Sequence, residues 1–172
     1  ALLSGHFILS SGLHSPTYLQ CARVMMDAAR GARLCAALAE KLRAAGLGGI
    51  DMVASPAMGG VVVGYEMGRQ LERPAIFFER VEGAFQLIRG FEMPRGARCL
   101  MAEDVVTTGL SSRECIAAIE AAGGTAVAGC CLIDRSSGKA DIGVPLIALA
   151  ELDVPSYAAD SLRSEERRVG KE

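Results

Sequence analysis

The residues best suited to chemistry run consecutively: Glu103, Asp104, Val105, Val106, Thr107, Thr108 and Gly109. They follow an apolar run, residues 99–102, that reads as a buried strand. Two carboxylates at the exposed end of such a strand are costly unless polar groups meet them. The vicinal hydroxyls of a ribose are suitable donors. The next residues can curl so that backbone amides and two threonine hydroxyls converge at the start of a helix, which makes a phosphate cradle. Acids for a sugar, then amides for its phosphate, describe a ribose phosphate site. An ordinary strand–loop–helix turn with solvated acids has the same spacing, and spacing alone does not choose between them. No lysine follows the glycine, so this is not a Walker loop.

Three further places have the right residue types. Met58, Gly59 and Gly60 stand between an apolar strand and a helix, where glycines allow either a tight turn or a close approach of backbone amides to an anion. Arg80 follows an apolar strand beside Glu79, and read locally it is a surface arginine paired with Glu79 or Glu82. Arg135 follows Asp134 at another strand end, and read locally the two form a plain turn pair.

The elements that must carry these residues alternate. Residues 7–9 and 17–20 read as short extended pieces around a turn-rich stretch that includes His14. Residues 31–45 read as an amphipathic helix with Leu34, Leu38 and Leu42 on one face, ended by Gly46, Gly48 and Gly49. A strand at 52–55 and a helix to about Leu71 follow, then a strand at 75–78 after Pro74. Residues 81–97 form a loop or hairpin-like excursion. The strand at 99–102 ends in the two acids, and a helix starts near Ser111, where Ser111 and Glu114 have capping-box spacing. Strands at 125–133 and 146–150 complete the pattern. Almost unbroken apolar strands alternating with helices predict an α/β fold, a parallel sheet covered on both faces. Ligands in such sheets lie beyond the carboxyl ends of the strands, which puts residues 55–60, 79–80, 103–109 and 134–135 on one edge.

The whole chain sets bounds. Its 172 residues, 51% hydrophobic and 22% charged, suit one globular domain. A net charge of -2 gives no sign of a nucleic-acid or anionic-membrane binder, and no apolar run reaches membrane length. The six cysteines lack CxxC spacing and only two histidines accompany them, which argues against a zinc site. They read as reduced core thiols of a cytoplasmic protein. The chain starts at Ala1 without a methionine, so a leading segment is expected to precede it. Residues 161–172 form a charge-rich tail that departs from the preceding composition, expected to be non-native or disordered and outside the domain at 1–160.

Residues 100–111, LMAEDVVTTGLS, resemble the phosphoribosyl diphosphate motif of type I phosphoribosyltransferases. Three other segments resemble the orotate phosphoribosyltransferases in particular: GHFILSSGLHSPTYLQ at 5–20, SPAMGGVVVG at 55–64 and FFERVEGAFQLIRGF at 77–91. The resemblance implies the type I fold, a central, mostly parallel sheet flanked by helices with a small N-terminal hood. It implies transfer of a phosphoribosyl group from 5-phosphoribosyl 1-diphosphate to orotate in pyrimidine synthesis, with Mg²⁺, in a homodimer. Glu103 and Asp104 would hold the ribose hydroxyls. Val105, Val106, Thr107, Thr108, Gly109, Leu110 and Ser111 would surround the 5-phosphate. Met58 and Gly59 would meet the diphosphate. Arg80, often contributed to the neighbouring subunit in the family, and Arg89 would contact the diphosphate, and with Asp104 they make the expected catalytic set. Thr107 and Arg135 would bind orotate, beneath a hood of Ser10, Ser11, Gly12 and Tyr18. The Mg²⁺ would be held mainly by the substrate, with Asp104 helping. The chain departs from the family pattern at Ser10, Ala84 and Ile88, where many members carry cations. Two other readings are a non-catalytic sensor of phosphoribosyl diphosphate and a purine phosphoribosyltransferase.

Overall fold

The computed structural model describes residues 2–8, 14–153 and 157. The hood residues Ser10, Ser11 and Gly12, and the tail at 161–172, lie outside them.

Strands β1 (Leu2–Ile8) and β2 (His14–Leu19) pair antiparallel as a separate two-stranded sheet. Both differ from the shorter pieces expected. Pro16 falls within β2, opposite a register irregularity between Ser4 and Phe7, and a bulge is where a strand tolerates a residue with no N–H. His14, expected in a turn, is a strand residue opposite Ile8, with its Nδ1 2.6 Å from His6 Nε2.

A single turn, α1 (Ala22–Met25), leads into α2 (Ala28–Ala44). Helix α2 starts earlier than its apolar period suggests because Asp27 caps it, accepting a hydrogen bond from the Arg30 amide at 3.0 Å. Its Leu38 and Leu42 are fully buried, each stabilising by roughly 1.5–3 kcal/mol.

The main sheet has the order β5-β4-β3-β6-β7-β8. Its strands are β3 (Met52–Pro56), β4 (Ala75–Val81), β5 (Ala84–Gln86), β6 (Arg98–Val106), β7 (Thr125–Asp134) and β8 (Leu146–Glu151). All neighbours are parallel except β5, which folds back on β4. Helix α2 and α3 (Gly59–Leu71) pack on one face, around Val53, Leu100, Ala102 and Cys130. Helix α4 (Leu110–Ala121) packs on the other, around Ala54, Phe78, Cys99 and Met101. Alternate residues of β6 thus feed the two cores, as the pleat requires.

Three boundaries correct the sequence reading. Strand β6 continues through both acids to Val106, because β7 keeps pairing there, with Glu103 opposite Cys131 and Val106 opposite Asp134. Strand β4 runs to Val81, so Arg80 lies within it, opposite Phe85 of β5. Helix α4 starts from Gly109 with no side-chain cap; the capping box expected at Ser111 and Glu114 does not form, because Glu114 pairs with Arg80 instead. All six cysteines are free and buried. Burial pushes the thiols of Cys21, Cys35 and Cys131 up to about 12, so they stay protonated and inert at neutral pH.

Candidate active site

The carboxyl ends of β3, β4, β6 and β7 meet at one edge of the sheet, the position the parallel topology assigns to a ligand. Because they are consecutive in a strand, Glu103 and Asp104 face opposite sides. Glu103 turns toward α4 and is 8% exposed. Its Oε2 accepts a hydrogen bond from the Ser112 hydroxyl. Burial pushes its carboxyl above the usual range; the Ser112 hydroxyl opposes that, and the nearby Asp104 charge adds to it. Asp104 turns toward the start of α3 instead. Its Oδ1 accepts from the Val105 amide at 2.9 Å. Burial raises its pKa too, against the pull of that amide.

The turn before α3 is built around glycine. A Cβ on Gly59 would lie 2.9 Å from Asp104 Oδ1, and one on Gly60 the same distance from the Ala102 carbonyl oxygen. The backbone therefore reaches the Asp104 carboxylate as no other residue would allow. Met58, just before it, is 81% exposed.

After β6 the chain turns through exposed Thr107 and Thr108 to Gly109, whose φ of 74° favours glycine. A Cβ there would also press on Ile142 at 3.0 Å. Arg113 braces this loop, donating to the carbonyls of Thr108 at 3.2 Å and Asp141 at 2.6 Å. The loop, with Leu110 and Ser111 in the first turn of α4, brings amides and hydroxyls to one end of a helix, the arrangement expected of an anion cradle.

The three arginines are placed differently from one another. Arg80 pairs with Glu114 of α4, donates to the Gly83 carbonyl at 2.9 Å and stacks 4.1 Å from the Phe85 ring centre. Its partner is therefore neither Glu79 nor Glu82. Arg89 grips both oxygens of Glu79, and that pair holds the Glu79 carboxyl below the usual range. Arg135 does not pair with Asp134, whose oxygens accept from the amides of Ser136 at 2.7 Å and Gly138 at 3.1 Å. Its Nε is buried, with no hydrogen-bond partner among the described residues. Burial lowers its pKa, with Tyr18 of the hood acting the other way. A buried donor left without a partner is costly, and here it belongs to a planar cation that suits a carboxylate.

The fold thus brings Gly59 and Asp104 into contact and sets Glu103 beside the start of α4. Arg135 joins the same strand end through its backbone, its amide bonded to the Val106 carbonyl at 2.8 Å. The arginines at 80 and 89 are engaged by carboxylates of the same chain. Ser112, Arg113 and Glu114 escaped the sequence reading. Nothing in their spacing marks the first two, and the spacing of Glu114 from Ser111 points to a cap rather than to Arg80.

A phosphoribosyl transferase domain matches residues 26–146. The orotate phosphoribosyltransferase of Sphingopyxis alaskensis is 59% identical over 166 residues, covering 96% of this chain and 85% of its own length. That of Caulobacter vibrioides is 56% identical over 165 residues, covering 96% and 84%. The crystal structure of orotate phosphoribosyltransferase from Aeropyrum pernix matches the fold with a TM-score of 0.75 at 26% identity, over 88% of each chain. Identity above one half across nearly the whole chain admits one assignment: this chain belongs to the orotate phosphoribosyltransferase family.

Proposed function

We propose that this chain transfers the phosphoribosyl group of 5-phosphoribosyl 1-diphosphate to N1 of orotate, giving orotidine 5′-phosphate and diphosphate. The observation that carries this reading is Arg135, with its buried, unpartnered Nε at the site edge. Orotate brings a carboxylate on its pyrimidine ring, whereas purine bases bring none. Thr107, in the adjoining loop, is the second orotate contact in this reading.

The protein supplies no covalent nucleophile. Its residues align C1′ with the base and stabilise charge on the departing diphosphate. Asp104 and Glu103 hold the ribose hydroxyls. The loop at 107–111 holds the 5-phosphate, and the amides around Met58 and Gly59 meet the diphosphate. Mg²⁺, when bound, neutralises the diphosphate charge. The residues fit such an ion: Asp104 faces the glycine turn, where its carboxylate would share a cation with the oxygens of the diphosphate. Arg80 and Arg89 then exchange their carboxylate partners for the diphosphate as residues 81–97 close and exclude water.

That exchange has a measurable consequence. Glu114→Gln releases Arg80 and should lower KM for the donor by up to about fivefold, the worth of an exposed ion pair. Steady-state kinetics at low salt reads this, and an unchanged or raised KM would mean that Glu114 does not compete for Arg80.

Homodimerisation belongs to the same reading. Met58, Val62 and Tyr65 form an exposed stripe at the start of α3, and a second copy would bury it. A cytoplasmic site of action agrees with the free thiols.

The test is an absorbance assay with orotate, donor and Mg²⁺. Mg²⁺-dependent loss of orotate absorbance with release of diphosphate is the expected result. Donor binding without turnover would favour a sensor, and turnover of adenine or hypoxanthine in place of orotate would favour a purine enzyme.

A further inference from the structure

We infer that Ser112 is a positioning residue for this reaction: its buried hydroxyl fixes the direction of the Glu103 carboxylate so that Glu103 can accept from a ribose hydroxyl. The inference rests on the donor-binding role proposed for Glu103.

Ser112 lies in the first turn of α4 and is 1% exposed. A buried serine in a helix usually returns its hydroxyl to a carbonyl of the preceding turn. Here it donates across to β6, to Oε2 of Glu103. The surroundings of that carboxylate are otherwise poor in donors. Cys131 sits opposite it on β7 and Cys115 faces it from α4, both fully buried. The charged groups that act on it are Asp104, its neighbour on β6, and Arg80 of β4, which is engaged with Glu114. The Ser111 side chain also acts to lower the Glu103 pKa. A carboxylate accepts about four hydrogen bonds, so lone pairs remain for a sugar hydroxyl. Without Ser112 a nearly buried carboxylate loses its close hydrogen bond, and its rotamer and its charge are both less well held.

Titration calorimetry with 5-phosphoribosyl 1-diphosphate and Mg²⁺ tests this on four proteins, each first confirmed folded by thermal melting: Ser112→Ala, Ser112→Thr, Glu103→Gln and the double variant Ser112→Ala/Glu103→Gln. Ser112→Ala should weaken donor affinity about tenfold, as expected for a hydrogen bond to a charged group. Ser112→Thr, which keeps the hydroxyl, should restore most of the affinity. In the Glu103→Gln background the alanine substitution should cost less than about twofold. An equal loss from Ser112→Ala in both backgrounds, or equal behaviour of the alanine and threonine variants, would overturn the inference and leave Ser112 a packing residue. If Glu103→Gln weakens binding while Ser112→Ala does not, the inference alone fails. If Glu103→Gln leaves binding unchanged, the donor-binding role of Glu103 fails and takes the inference with it.

Discussion

Asp104→Asn should lower kcat/KM for the phosphoribosyl donor by roughly 10- to 150-fold, the loss expected when hydrogen bonds to a charged acceptor are removed, and should at the same time stabilise the ligand-free protein. The first effect follows from the position of the carboxylate, which is held against the Gly59 backbone by the pleat of β6 and by the Val105 amide. Asparagine keeps an acceptor for that amide but loses the charge. The second effect follows from burial, which raises the folded pKa of Asp104 above its unfolded value. A carboxyl so shifted favours the fold while protonated, below its unfolded pKa of about 4, and that contribution is lost as pH rises through the folded value. At neutral pH the folded protein therefore carries an unfavourable charge that the variant lacks. A gain of about 1 kcal/mol raises Tm by about 2–4 °C in a domain of this size. The difference from the parent should be largest at neutral pH and vanish below about pH 4. Saturating donor and Mg²⁺ should reverse the order, because they bind and stabilise the parent more. Thermal melts across pH and steady-state kinetics read both halves. A parent-like kcat/KM would remove Asp104 from the ribose site, and a lower apo Tm would show that its charge supports the fold.

Arg135→Ala should raise KM for orotate by about 30-fold or more, the lower bound for truncating one member of a buried charge pair. KM for the donor should stay within about twofold, since the two substrates would use different groups. Arg135→Lys should recover little, because an ammonium cannot present the flat pair of donors that a guanidinium offers a carboxylate. Arg135→Met keeps the volume without the unpaired N–H, and the ligand-free protein should then melt higher than the parent. Parallel rises in KM for both substrates would point to collapse of the shared edge rather than to loss of an orotate contact. For Asp104 and Arg135 alike, the expected cost to stability without ligand is the counterpart of binding with it.

Much of the site is legible before folding. The order of acids, hydroxyls and glycine at 103–109 marks a candidate phosphate cradle between an apolar strand and a helix, and the structure has that strand and helix, β6 and α4, on either side of it. The glycines at 59, 60 and 109 stand where backbone must come close or turn left-handed, and the structure needs glycine at each for that reason. The alternation of apolar runs with helical periods is sufficient for a parallel sheet, because strands buried on both faces must be apolar throughout.

What spacing could not supply depends on partners far along the chain. Strand β6 reaches Val106 only because β7 continues to pair with it, and that extension sends Glu103 and Asp104 to opposite faces. Arg80 has Glu79 and Glu82 close in sequence, yet the packing of α4 brings it Glu114, 34 residues away. Arg135 beside Asp134 looks like a local pair until the amides of Ser136 and Gly138 claim the carboxylate. Residue order along one segment settles which groups are available and where the backbone can bend. Register between strands and the seating of helices on the sheet settle which of those groups meet, because both are set by contacts that no local spacing encodes.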